Sequence, residues 1–319
     1  MTALAEPQAD TVDREIAALA AHSRVWLALR RDPAFWVGAV GVIGLIALAV
    51  LAPLIAPHDP DQIFRDGLSA KGDPVPPSAK FILGTDTLGR DEWSRLLYGA
   101  RTSLTVGIVA NLIATFVGVV IGSVAGFVGD IRVRIPIGAT RTLNVPVPVE
   151  TVLMRITDAV LSFPVLLLAI ALVAIVGASL QLVIVVIAAV LWTALARVVY
   201  SRIVVLREAE FVTAARAAGV GTARILVRHV LPHLISLITV YATLGIASTV
   251  LFEATLSFLG VGVPLPTATW GQMIAASVGY YQTDPRVVVL PGLAIMITIL
   301  AFNLLGDALA DAFDPHHWS

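Results

Sequence analysis

Three acidic residues lie within the long apolar runs of this chain: Asp158, Glu253 and Asp307. An ionisable group at membrane depth often marks an ion or solute pathway, so these are the first candidates for chemistry. Asp158 and Asp307 fall near the predicted ends of their runs, where solvation at the membrane surface accounts for them. Glu253 lies deeper, and a buried carboxylate needs a partner. We therefore expect Glu253 either to line a pathway or, as the preferred interpretation, to be locked to a helix of a partner subunit.

Other catalytic groups are poorly placed or absent. The six histidines all lie in loops or at the ends of apolar runs, so a serine paired with a histidine at membrane depth is not indicated. His316 and His317 are adjacent near the end of the chain and are interpreted as solvated, so no metal site is predicted. Because the sequence contains no cysteine, disulfides, thiolate metal sites and cysteine nucleophiles are excluded.

A phosphate-binding loop is also missing. No G-x-x-x-x-G-K-[ST] motif occurs, and neither lysine, Lys71 or Lys80, follows a glycine. The chain therefore cannot hold ATP phosphates in a P-loop. If it moves a solute, the energy must come from another subunit or from an ion gradient, and both alternatives stay open at this point.

The composition is that of a helical membrane protein. Hydrophobic residues make up 58% and charged residues 13% of the chain, and the mean hydropathy is +0.90. A helix needs about 20 apolar residues to cross a hydrocarbon core of about 30 Å. The sequence predicts an all-α polytopic protein with six transmembrane helices, at residues 35–56, 103–128, 154–176, 180–200, 234–259 and 287–310.

The basic residues predict the orientation. With the N-terminus in the cytoplasm, 14 of the 21 lysines and arginines lie on the cytoplasmic side. Both termini are then inside, and we expect a multi-pass protein of the cell membrane. The net charge of −1, without a basic tract, gives no indication of nucleic acid binding.

The same pattern divides the chain. We predict a cytoplasmic segment at 1–34, the first transmembrane helix at 35–56, an extracytoplasmic loop at 57–102, a core of five helices at 103–312 and a cytoplasmic tail at 313–319. Within the first segment, residues 11–31 suit either a helix on the membrane surface or a solvated tail.

An arginine-rich segment at 201–233 interrupts the core between two apolar runs. An arginine at the centre of a transmembrane helix costs about 2.5 to 3.5 kcal/mol, so this segment lies outside the lipid. We predict one short helix that ends at Gly219 and a second that begins near Thr222, a plausible N-cap, and is closed by Pro232. Small side chains beside Arg216 leave room for close approach by another protein: Ala214, Ala215, Ala217 and Ala218. An ordinary amphipathic connector between spans is the alternative.

This segment resembles the cytoplasmic EAA loop of bacterial ABC importer permeases. Five residues fall on the positions of that motif: Ala214, Ala215, Gly219, Leu231 and Pro232. Two positions depart from it, because Thr213 stands where a glutamate is expected and His229 where an isoleucine is common. The resemblance implies that the segment contacts an ATPase, with coupling residues at Thr213, Ala214, Ala215, Arg216, Ala217, Ala218, Gly219, Leu231 and Pro232.

Three further stretches are similar to the C-type permeases of the dipeptide, oligopeptide and nickel family. They are LGTDTLGRDEWSRLLYGARTSL at 83–104, MRITDAVLSFPVLLLAIALVAIVG at 154–177 and EATLSFLGVGVPLPTATWGQMI at 253–274. The family resemblance implies the type I importer permease fold in a bacterial inner membrane and no enzymatic activity in this chain. The chain would bind no cofactor or metal.

The resemblance also implies partners: a homologous second permease, two cytoplasmic ATPase subunits that bind ATP and Mg²⁺, and an extracytoplasmic solute-binding protein. A secondary transporter or channel that works without ATPases is the alternative function. Glu253 and Asp158 remain candidates for pathway or subunit contacts.

Two local features complete the sequence predictions. Gly122 and Gly126 form a small-xxx-small pair that suits close helix packing. Residues 134–150 resemble an insertion relative to the family. Because that insertion contains three prolines and no apolar periodicity, we expect a cytoplasmic excursion that does not line a pathway, and transport that survives its shortening to a few residues.

Overall fold

The computed structural model describes residues 26–137 and 141–313 of this chain. Most of the predicted N-terminal segment and residues 314–319 of the predicted tail lie outside these ranges. In chain order, the helices are α1 (Pro33–Ile55), α2 (Glu92–Val128), α3 (Val149–Leu161), α4 (Val165–Val176), α5 (Leu180–Leu206), α6 (Glu210–Ala217), α7 (Thr222–Ile225), α8 (Ile235–Phe258), α9 (Trp270–Ser277) and α10 (Arg286–Phe313).

The helical membrane fold predicted from composition is confirmed. Among the described residues, five helices are long and apolar enough to cross a membrane: α1, α2, α5, α10 and one that runs from Thr222 to Phe258. The predicted third span is a bent pair, because α3 and α4 meet at 93°. Pro164 lies in this break and explains it, since proline disfavours helical geometry in the preceding residue.

Helix α2 is the longest uninterrupted α-helix of the described residues and organises the bundle. Its 37 residues span about 55 Å, more than a hydrocarbon core needs. It begins at Glu92, well before the predicted start at 103, because Asp91 caps it. The Asp91 Oδ2 atom accepts hydrogen bonds from the Ser94 amide at 2.9 Å and the Ser94 hydroxyl at 2.6 Å.

Small residues allow α2 to pack closely on α5. A Cβ atom added at Gly122 would lie 2.4 Å from the Ala196 carbonyl oxygen, and one at Gly126 would lie 3.0 Å from the Tyr200 carbonyl oxygen. The helix backbones therefore touch where side chains would otherwise separate them. The predicted packing role of the glycine pair is confirmed.

The polar loop before α2 folds onto one end of the bundle. Arg95 is almost fully buried, and its guanidinium contacts the Pro60 carbonyl oxygen at 3.0 Å and the Asp86 carboxylate at 3.3 Å. On the loop surface, the Lys80 ammonium donates a hydrogen bond to Asp66 at 2.6 Å and lowers the pKa of the Asp66 carboxyl. The loop is thus fixed by buried charge pairs as well as by apolar contacts.

The insertion after α2 contains a β-hairpin, which the all-α prediction did not include. Strand β1 (Ile131–Ile137) pairs antiparallel with β2 (Arg141–Val147), with Ile131 opposite Val147. The sequences IRVRIPI and RTLNVPV alternate with a period of two, which favours strands, and this periodicity is the signal that the sequence analysis missed. The all-α class holds for the membrane part of the chain, and the hairpin is an exception outside it.

Candidate functional site

The arginine-rich segment forms the turn that the sequence predicts. Helix α6 ends where Gly219 adopts φ of +76°, a left-handed conformation that glycine reaches without steric strain. The Gly219 amide donates to the Arg216 carbonyl at 3.0 Å, and the Val220 amide donates to the Ala215 carbonyl at 3.1 Å. These bonds satisfy carbonyl groups at the end of α6, so the chain reverses in a defined geometry.

The second half of the segment differs from the prediction. Thr222 is the first residue of α7 and Gly221 takes the N-cap position. Pro232 does not close the helix: a wide turn over Leu226–Val230 and a tight turn over Leu231–Leu234 carry the chain directly into α8. Pro232 lies in the first positions of the tight turn, where its missing N–H is tolerated. Residues Thr222–Phe258 therefore act as one continuous helix.

Helix α6 presents two faces. Val212 is fully buried and Ala215 is half-buried against the same apolar cluster, which includes Phe127, Ile203 and Ile225. The opposite side carries exposed, small side chains. We call this surface the coupling face, and it consists of Thr213, Ala214, Ala217 and Ala218.

This arrangement separates one residue from the other small side chains of the predicted contact. Ala215 lies against the protein's own core and not in the exposed surface. Val212 and Ala215, three positions apart, share one side of the helix, which is the signal that could have revealed it. Arg216 lies over the Phe127 ring at 5.6 Å. Leu231 is half-buried against the apolar cluster and Pro232 is exposed.

Two contacts that the sequence analysis missed anchor this segment. The rings of Phe211 and His233 stack with centroids 5.1 Å apart and so join α6 to the tight turn that precedes α8. Arg207 donates to the Gly126 carbonyl at 3.0 Å and lies 3.6 Å from the Glu150 carboxylate. The ends of α2, α3 and α5 are thereby held together beside α6. The residues are distant in sequence, so no local pattern reveals these contacts.

The two candidate acids have partners within this chain. Asp158 on α3 forms an ion pair with Arg197 on α5, and both side chains are exposed in part. Glu253 is fully buried, and its carboxylate accepts hydrogen bonds from Ser103 at 3.0 Å and Ser257 at 2.6 Å. The preferred expectation, a lock onto a partner subunit, is wrong, because α2 of the same chain supplies the bond. Within residues 26–137 and 141–313, no group of three His, Asp or Glu side chains is placed to hold a metal ion.

Comparison with known proteins identifies the class. A family model described as a binding-protein-dependent transport system inner membrane component matches residues 118–318. A model described as the N-terminal transmembrane domain of oligopeptide transport permease C matches residues 23–72. The first match covers more than half of the chain and therefore assigns the chain to this transport family.

Named relatives agree with this match. The di/tripeptide permease DppC of Pseudomonas aeruginosa is 40% identical over 83% of this chain and 82% of its own length. The dipeptide permease DppC of Alkalihalophilus pseudofirmus is 41% identical over 75% and 73%. The glutathione permease GsiD of Escherichia coli is 38% identical over 91% and 89%.

A solved structure supports the fold. The inward-facing MetNI methionine ABC transporter has a chain that aligns with a TM-score of 0.53 and 20% identity, over 68% of this chain and 95% of that one. At this identity the likeness concerns the fold alone.

The chain belongs to the bacterial family of membrane-embedded, multi-pass permeases of ABC importers. It resembles the peptide permeases of the DppC and OppC type within that family. Such a permease is not the catalytic subunit, and ATP is hydrolysed by separate ATPase subunits. Family membership therefore decides between the two energy sources that the sequence left open, and the secondary transporter is set aside.

Proposed function

We propose that this chain forms half of the translocation pathway of an ATP-driven peptide importer. Its relatives are named for di- and tripeptides, dipeptides and glutathione, all of which contain amide bonds. The other half would come from a homologous permease. A solute-binding protein outside the membrane would deliver the peptide, and two cytoplasmic ATPase subunits would bind ATP and Mg²⁺.

The exposed coupling face on α6 is the observation that carries this proposal. Its small side chains allow the backbone of α6 to approach another protein closely, while the buried Val212 fixes the helix to the bundle. A push on α6 from the ATPases would reach α7 through the turn at Gly219. Since Thr222–Phe258 is one helix, the movement would continue into the membrane and produce alternating access.

The proposal places the chain in the bacterial cell (inner) membrane, with both termini and α6 on the cytoplasmic side. Arginines support this placement, because Arg216, Arg224 and Arg228 all flank the turn between α6 and α7. The chain lacks cysteine, so single cysteines report accessibility without background. A cysteine at the exposed Ser69 should react with an impermeant thiol reagent added to intact cells, and one at the exposed Thr222 should not. Reaction of both from outside would contradict this topology.

Reconstitution tests the energy source and the solute together. The complex of this chain with its companion permease and ATPases should import a dipeptide such as dialanine into vesicles only with ATP trapped inside, on the side of the ATPases, and with the solute-binding protein outside. Omission of the ATPases should abolish uptake. Uptake that persists without ATPases, or that follows an imposed proton gradient, would contradict the ATP-driven mechanism. ATP-dependent uptake of another solute but not of peptides would contradict the substrate class alone.

A further inference from the structure

A groove of about 190 Å³ opens on one side of the bundle between α2, α5 and α8. It lies near the middle of these three helices, at the depth of the hydrocarbon core in a spanning orientation. The described residues that line it are all uncharged, and half of them carry a hydroxyl or an amide. The residues with a hydroxyl or an amide are Asn111, Thr115, Tyr241, Ser248 and Thr249.

The hydroxyls of this groove are left without partners by the rest of the subunit. Within the described part of the chain, Thr115, Tyr241 and Ser248 have no hydrogen bond from their side chains. Tyr241 is 44% exposed and Ser248 is also exposed. A hydroxyl in an apolar medium without a hydrogen-bond partner is unfavourable, because it has lost its hydrogen bonds to water. Three of them facing lipid would therefore be strongly unfavourable, and the groove needs water or a polar ligand.

The exposed faces of other helices have a different chemistry. On α1 the large exposed side chains include Val40, Ile43 and Val50, and on α10 they include Met296 and Ile297. These faces are apolar, as contact with acyl chains requires. The side with the groove differs from them in the chemistry of its side chains.

The floor of the groove is fixed by a polar contact between helices. Asn111 on α2 is 6% exposed, and its Nδ2 atom donates to the Ala242 carbonyl of α8 at 2.7 Å. Its amide lies against Gly245, where an added Cβ atom would come within 2.3 Å of the Asn111 Oδ1 atom. The Asn111 Oδ1 atom accepts no hydrogen bond from the described residues. The groove therefore has one wall that is fixed by a hydrogen bond between helices and lies beside the free hydroxyls.

We propose that this groove is the part of the solute pathway contributed by this subunit, and that it binds the backbone amides of a peptide through uncharged hydrogen-bonding groups. This inference rests on the proposed import function and adds the residues that contact the solute. Amides both donate and accept hydrogen bonds, as hydroxyl and carboxamide groups do. The groove would pass peptides regardless of side-chain charge, because it offers no charge of its own. One turn further along α5, the charge of Arg197 is paired with Asp158.

Cysteine labelling of the assembled transporter tests whether the groove is wet. Ser248→Cys is nearly isosteric and lies in the groove, and Ile297→Cys, on an exposed apolar face of α10, is the matched control. A charged, water-soluble methanethiosulfonate reagent should modify Ser248→Cys about tenfold faster than Ile297→Cys, because the reactive thiolate forms only where water reaches the sulfur. Modification should also block uptake of peptide. Dialanine supplied during turnover should slow the modification. Equal rates, or no reaction of Ser248→Cys during turnover, would overturn the pathway assignment.

Peptides of different charge test the chemistry of binding. The double variant Ser248→Ala/Tyr241→Phe removes two hydroxyls without adding bulk. It should raise the KM for uptake several-fold for acidic, neutral and basic dipeptides alike, with assembly unchanged. A change confined to one charge class would overturn binding through amides, and unchanged KM values would overturn the role of the groove.

These outcomes are separable from failure of the proposed function. If the parent complex imports dialanine but the groove cysteine stays unreactive, the import function stands and the groove is a dry contact with another subunit. If the parent complex does not import peptides but the cysteine is labelled, the pathway stands and the peptide class falls.

Discussion

The hydroxyl of Ser103 donates a hydrogen bond to the carboxylate of Glu253 at 3.0 Å and thereby joins α2 to α8 inside the bundle. The same hydroxyl oxygen accepts a bond from the Trp270 amide at 3.3 Å, which adds the start of α9 to the link. Ser257 donates to the other carboxylate oxygen at 2.6 Å. Three helices thus meet at one buried carboxylate, and α8 is the helix that continues into α7.

Removal of this link should weaken the bundle. Ser103→Ala leaves one buried oxygen of Glu253 without its donor, and an unsatisfied buried polar group costs about 1 to 3 kcal/mol. We expect a lower Tm for the purified protein in detergent. Thr105→Ala is the control, because the Thr105 hydroxyl bonds only to the Arg101 carbonyl of its own helix at 2.6 Å. Equal losses of Tm in the two variants would show that the contact between helices contributes nothing.

The close packing of α2 on α5 should tolerate no added methyl group. Gly122→Ala places a Cβ atom 2.4 Å from the Ala196 carbonyl oxygen, so the helices must separate. Overpacking of this kind typically costs about 1 to 3 kcal/mol. Gly44→Ala on α1 is the matched control, because nothing lies within 4 Å of a Cβ atom added there. Thermal denaturation should show a lower Tm for Gly122→Ala alone, and a parental Tm for both variants would refute the backbone contact.

The fold was predictable because long apolar runs in this chain have few structural alternatives. The predicted runs at 35–56 and 180–200 correspond to α1 (Pro33–Ile55) and α5 (Leu180–Leu206). The bend at Pro164 was missed because the runs on either side of it are both apolar. Composition alone does not distinguish a straight span from a bent pair.

The candidate site was predictable where a single residue determines the backbone conformation of a turn. Gly219 predicts the end of α6, and its φ of +76° confirms the turn. The link between Ser103 and Glu253 was not predictable, because the two residues are 150 positions apart and only the fold brings them together. The groove residues Tyr241 and Ser248 carried a local signal, since polar side chains seven positions apart share one side of an apolar helix.

The turn between α6 and α7 should depend on the glycine at position 219 and not on the glycine at position 221. Gly219→Ala forces an L-residue into a left-handed conformation, at roughly 1 to 2 kcal/mol, although no atom lies within 4 Å of the added Cβ. Gly221 has φ of −65° and equally open surroundings, so Gly221→Ala serves as the control.

We expect Gly219→Ala to redirect α6 and to lower the number of peptides imported per ATP hydrolysed, with the membrane bundle intact. The measurement is uptake and ATP hydrolysis in the same vesicles. If both variants couple like the parent, the direction of α6 does not transmit force.

Two adjacent alanines on α6 should respond differently to the same substitution. Ala214 belongs to the exposed coupling face, so an arginine there extends into solvent in the isolated subunit and fits the helix well. Ala215 packs against the apolar cluster, so an arginine there disturbs the core of the subunit. Ala214→Arg should therefore leave the Tm near the parental value, and Ala215→Arg should lower it through about 1 to 3 kcal/mol of overpacking.

The two substitutions should impair transport for different reasons. If the coupling face docks onto an ATPase, Ala214→Arg introduces a long cation where the backbone must approach closely, and an unpaired charge is desolvated at the contact. Uptake and the stimulation of ATP hydrolysis by the loaded binding protein should then be lost from a stable permease, while Ala214→Ser, which stays small, should retain both. Loss of both activities in Ala215→Arg would instead accompany loss of folded protein. Parental transport by Ala214→Arg would show that this face of α6 does not contact the ATPase, and the segment would be an amphipathic connector between α5 and α8.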